Sequence, residues 1–212
     1  MRSFSPKKPL AGGRESRRTP PPLDASRLDA MALAYVARFA TSGAKLEAYL
    51  LRKLMQRGWA GAQDDGTDPE DGGAGLDASL MRELLAALVI RFVAAGYVDD
   101  RAFARTRSGG LQRRGYGKRH IAQALGQAGI AADDAAPALP NEAAARAATL
   151  ALARRRRLGP YGAGGLDRAA REKQIGALLR AGHPLDSARE LVNAPSIEAA
   201  EAWAREMDSE EG

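Results

Sequence analysis

A leucine set four residues ahead of a glycine closes an apolar stripe three times in this chain. The phrase runs through Leu46, Leu50, Leu54 and Gly58, returns as Ile121, Leu125 and Gly129, and returns more weakly as Gln174, Leu178 and Gly182. Residues four apart lie on one helix face, and a glycine just beyond suits the left-handed residue that ends many helices. Each glycine precedes another helix candidate: Asp77 to Ala95 after a loop, a short Asp133 to Ala138 piece, and Asp186 to Asn193. Three helices per unit is the simplest account. One such unit cannot bury enough apolar surface alone, so neighbours must stack into an elongated, usually curved body. The glycines are unevenly spaced, which makes the repeat degenerate rather than a regular solenoid.

The first helix is expected over Leu28 to Ala40, where Leu28, Met31, Ala32, Tyr35, Val36 and Phe39 form one stripe, with Ser42 capping its successor. No segment alternates with period two, and alanine is abundant, so the fold class is all-α: elongated tandem three-helix repeats in three degenerate units. The expected division is a disordered basic tail over 1–26, a first repeat over 27–98 with an acidic loop at 59–76, and a second repeat over 99–140. A third repeat over 141–194 and an acidic C-terminal tail over 195–212 complete it. Gly162 to Gly165 reads as a flexible linker.

Several chemistries are disfavoured. Without cysteine there is neither a disulfide framework nor a Cys-based zinc site, and His120 and His183 are too far apart in sequence to suggest metal ligation. His120 reads as an exposed or phosphate-facing helix residue and His183 as a residue following a helix-ending glycine. Gly117-Lys118 is not a phosphate loop, because Gln112 and Arg119 stand where glycine and Ser/Thr are needed. No nucleophile, base and orienter constellation is visible, so the chain reads as a non-enzyme without cofactors. The basic N-terminus lacks a secretory pattern, and the longest strongly apolar run, Leu84 to Ile90, is far short of the roughly 20 residues that span a bilayer. A soluble, cytoplasmic protein is expected.

The formal charge of +6 favours anionic partners, and its distribution sharpens that. Acids gather between Asp64 and Asp71 and in the tail from Glu198 to Glu211, whereas no acid occurs from Arg101 to Ala132. Asp99 and Asp100 open this basic block and suit a helix start, where a carboxylate accepts orphan N–H groups. A catalytic carboxylate pair is the weaker reading, since no partner accompanies it. Tyr97, Phe103 and Tyr116 could stack on bases, but core packing is the better account.

Gly96-Tyr97-Val98-Asp99-Asp100, then Phe103-Ala104, then Arg114-Gly115-Tyr116-Gly117, Ile121, Leu125 and Gly129-Ile130 together resemble the central region of RecX regulators, which modulate the RecA recombinase. The resemblance spans about Leu28 to Asn193 and is strongest in the middle unit. Lys45 stands where many relatives carry a capping-box glutamate, and His183 where an aromatic is common. The resemblance implies a protein lying along the groove of the RecA–DNA filament and restraining recombinase and coprotease activity. The expected partners are that filament and the DNA phosphate backbone, with no membrane and no small-molecule substrate. The residues expected to make contact are Arg113, Arg114, Lys118 and Arg119, then Arg154, Arg155, Arg156 and Arg157, then Arg171 and Lys173. At the four consecutive arginines a dipole-stabilising role is an equal alternative. The competing function is an autonomous helix-turn-helix DNA-binding regulator, which would show sequence preference on duplex DNA.

Overall fold

The computed structural model describes residues 21–60, 78–162, 164 and 167–206. The expected tails are therefore described only in part, and residues 61–76 of the expected acidic loop lie outside the described residues. Among those described, the only β pairing is a single parallel bridge between Leu23 and Trp59; the rest of the regular structure is helical.

The first run of helices is α1 (Ala25–Val36), α2 (Gly43–Arg57) and α3 (Ala78–Ala94). They close over Leu28, Leu46, Leu50, Leu54, Leu85 and Phe92. α1 starts earlier than its stripe suggests because Asp24 caps it, accepting from Arg27 N at 2.8 Å. It also ends earlier, so Phe39 falls beyond it and is 55% exposed rather than part of the buried stripe. Leu23 and Trp59, placed by sequence in a tail and a loop, belong to this core: Leu23 is fully buried and Trp59 packs against the cluster.

The second run is α4 (Asp100–Arg113), α5 (Lys118–Gly126) and the short α6 (Ala132–Ala135), which continues as a 3-10 turn over Ala136–Ala138. Asp99 is the N-cap, its carboxylate accepting from Ala102 N at 2.8 Å, as the capping reading expects. Ile121 and Leu125 are fully buried in this second core, and truncating either to alanine is expected to cost about 2–5 kcal/mol. Phe103 and Tyr116 pack half-buried against it, whereas Tyr97 is 56% exposed.

The third run is α7 (Glu142–Arg156), a 3-10 turn at Gly159–Tyr161, α8 (Arg168–Arg180), α9 (Leu185–Asn193) and α10 (Ile197–Arg205). Here the structure departs from the sequence reading. Residues 197–205, read as acidic tail, form a helix capped by Ser196 and anchored by buried Ala200 and Ala204. Glu198 is exposed, while Ala200 and Trp203 close the third core over Leu152, Leu178 and Leu191.

The second helices of the three runs lie head to tail. The carbonyls of Ala181 and Gly182, at the end of α8, accept from Gly117 N at 2.9 Å and Arg119 N at 3.3 Å, at the start of α5. The carbonyl of Ala128, at the end of α5, accepts from the Ser42 hydroxyl that caps α2, at 2.6 Å. At α5 orphan backbone donors thus meet carbonyls at the end of α8, whereas at α2 the capping hydroxyl makes the contact. At the far end of α2 the chain closes on itself: Leu23 N donates to Gly58 O at 2.9 Å, the role Arg119 N has at Gly182.

Candidate nucleoprotein interface

All ten cationic residues singled out from sequence are exposed. The fold puts them in three places. Arg113 and Arg114 end α4, and Lys118 and Arg119 begin α5 one tight turn later. Arg154, Arg155 and Arg156 form the last turn of α7, and Arg157 ends it in the left-handed conformation, φ 55°, where glycine is the usual residue. Arg171 and Lys173 lie in the first half of α8.

Three of the ten have internal partners. Arg119 reaches across to the carbonyl of Leu179 at 2.8 Å. A cation at a helix start opposes that helix's dipole, but here it also sits at the negative end of α8, which offsets the penalty. Arg154 pairs with Glu201 of α10 and lies 5.7 Å from the Tyr161 ring centre. The Tyr161 hydroxyl and then the Glu201 carboxylate hold its guanidinium pKa above the usual value. Arg114 is braced by Gly110 O at 3.2 Å and lies 5.8 Å from the Tyr116 ring centre, leaving its charge outward.

Sequence reasoning assigned none of the following contacts. Arg146 is gripped by Glu142 at 3.1 Å, by the Trp203 carbonyl at 3.0 Å and by the Trp203 ring, 5.1 Å away. The i, i+4 pairing with Glu142 was visible in sequence; the helix supplying Trp203 was not. His183 is buried and joins two runs of helices, Nδ1 lying 2.9 Å from Thr149 Oγ1 and Nε2 2.9 Å from Gly115 O. Burial pushes its pKa down, partly countered by the Gly115 carbonyl. Lys45, Arg52 and Lys53 on α2 each lie near an aromatic ring.

Among the described residues no group of three or more His, Asp or Glu side chains is placed to hold a metal ion, and no helix is long and apolar enough to cross a membrane.

Residues 99–139, the whole α4–α6 run with its basic turn, match the family model for the second three-helix domain of RecX. Beyond that segment, the chain is similar to the regulatory protein RecX of Myxococcus xanthus (strain DK1622), 29% identical over 195 residues that cover 88% of this chain and 93% of the relative. The chain thus resembles RecX proteins. In RecX terms, the matched segment contains Arg113, Arg114, Lys118 and Arg119, while the two other basic groups lie in the following run of helices.

Proposed function

We propose that this chain is a RecX-type regulator that binds the RecA–DNA filament and restrains its recombinase and coprotease activity, and so regulates DNA repair and recombination. The observation that carries this reading is the pairing of tandem helical runs, coupled end to end through their second helices, with exposed cations on successive runs. Such a body can touch successive filament subunits and nearby phosphates at once, so that weak contacts reinforce one another through effective concentration. No catalytic group is required for inhibition of this kind.

The helix-turn-helix alternative needs the start of a recognition helix free to enter the major groove. At α5 that start is occupied: Gly117 is buried, and its N–H and that of Arg119 are held by α8 carbonyls. The test is a titration of the purified chain into RecA ATPase and strand-exchange reactions, repeated with Arg113, Arg114 and Lys118 changed together to glutamate. Arg119 is spared because it supports the α8 end. The folded triple variant is expected to lose most of its inhibition; inhibition equal to the parent removes the reading.

A further inference from the structure

The first run of helices carries a cluster of rings that the function above does not use. Tyr35 stacks on Tyr49 with ring centres 4.2 Å apart and meets Phe39 at 5.3 Å. The two tyrosines are rooted in the first core, whereas Phe39, beyond the end of α1, is largely open to solvent. The stacked tyrosines thus brace Phe39 from one side while it stays exposed.

Cations surround these rings. Arg52 and Lys53 lie 5.9 and 5.8 Å from the Tyr49 ring centre, and Lys45 lies 4.7 Å from that of Phe103, across the junction with α4. Lys45, Tyr49, Arg52 and Lys53 share one face of α2 by their spacing, and Glu47 falls on the opposite side from Lys45.

Next to Ala40, the neighbour of Phe39, the surface dips into a groove of about 230 Å³ lined by Phe103, Thr106, Arg107 and Gly110 of α4 and by Arg114 just past its end. No acid lines it. Two adjacent glycines in a helix interior are unfavourable, and nothing in the fold asks for these. A Cβ at Gly109 would meet only the flexible end of Arg113 at 3.4 Å, and one at Gly110 the same end at 4.0 Å. Bare backbone beside the groove leaves room for something to approach closely from outside.

An open ring at Phe39, cations at both ends and an acid-free groove match the chemistry of a single nucleic-acid strand, whose bases stack on aromatic faces while its phosphates follow the charges. A duplex hides those base faces. We propose that the surface from Tyr49 and Phe39 across to Phe103 and Arg114 is a single-strand nucleic-acid site. One base stacks on Phe39, a neighbour enters the groove beside Phe103 over Gly110, and Arg107 and Arg114 hold the phosphates. The site extends the filament reading and is tested apart from it: the bare strand is titrated without recombinase, and inhibition is measured separately.

The full chain is titrated into a fluorescent thymidine oligomer, the same-length strand lacking its bases, and a duplex. The strand with bases is expected to bind at least about fivefold more tightly than the abasic strand. Phe39→Ala and Gly110→Leu should each erase that preference. Gly110→Leu should do so without lowering the melting temperature, since leucine is the better helix former. Arg107→Ala should instead flatten the salt dependence. Equal affinity for the two strands, preference for the duplex, or parental binding by both Phe39→Ala and Gly110→Leu would overturn the proposal. Loss of strand binding with filament inhibition intact would leave both readings standing as separate activities.

Discussion

The junction between the first and second runs of helices and that between the second and third share one design and differ in their chemistry. In both, the start of a second helix docks on the turn that ends the next run's second helix. At the first, contact is made through side chains: the Ser42 hydroxyl donates to Ala128 O at 2.6 Å, and the Asp100 carboxylate accepts from Gly43 N at 2.9 Å. At the second it is made through backbone, Gly117 N and Arg119 N donating to Ala181 O and Gly182 O, with His183 inserted behind. A side-chain junction can be weakened one group at a time. A backbone junction is indifferent to the loss of most side chains and intolerant of any added beneath it.

The largest effect should follow from Gly182→Ala. A Cβ there would sit 2.4 Å from His120 N, on a residue with φ 93°, so backbone clash adds to backbone strain. Destabilisation beyond about 3 kcal/mol in a chemical-denaturation series is expected. Gly58→Ala is the control, because Gly58 also has a positive φ, 75°, but nothing within 4 Å. Its cost should stay near about 1–2 kcal/mol from strain alone. Equal losses at the two positions would remove the claim that the second junction is a close backbone contact.

Gly129→Ala tests the first junction in the same way and should differ in kind. Its Cβ would sit 2.2 Å from the Cβ of Ala44, a methyl group and not backbone. The substitution should therefore cost less than Gly182→Ala, and Ala44→Gly should restore part of the loss even though glycine alone weakens α2. No equivalent second-site change should rescue Gly182→Ala. Smaller again, Ser42→Ala removes both the cap of α2 and the bond to Ala128, and should cost about 1–2 kcal/mol by thermal melting. A neutral outcome would mean that the hydroxyl contact contributes nothing to docking.

These contacts show why the units were legible in sequence and their coupling was not. The glycine after a leucine stripe is a local signal, because the left-handed turn and the buried face both belong to the same helix. The bond from Ser42 to Ala128 or from Gly117 to Ala181 joins residues far apart in the chain through groups every residue has, and leaves no pattern to read. α10 was missed for another reason: Glu198, Glu201 and Glu206 suggested a solvated tail, while Ile197, Ala200 and Ala204 at helical spacing carried the structural signal. Of the ten expected contact residues, exposure followed from charge. The internal duties of Arg119 and Arg154 depend on the end of α8 and on α10, which charge alone could not place.

The smallest expected effect separates the junctions by pH. His183 Nε2 faces the Gly115 carbonyl, which can only accept, so Nε2 carries the proton in the neutral ring and Nδ1 is left to accept from Thr149. The Thr149 hydroxyl also lies 2.9 Å from Ala145 O and has one proton to share between two acceptors. Protonating the imidazole would relieve that competition, yet burial opposes the charge more strongly, and the pKa in the folded chain lies below the ordinary 6.5. The unfolded chain therefore takes up its proton first as the pH falls. Stability is full above about pH 6.5 and declines below it, until the folded state also protonates. Melting at pH 7.5 and 5.5 should show a decrease that His183→Gln diminishes, with both variants compared to their own pH 7.5 values. A drop of the same size in His183→Gln would place the acid sensitivity elsewhere and leave the two junctions alike in their response to pH.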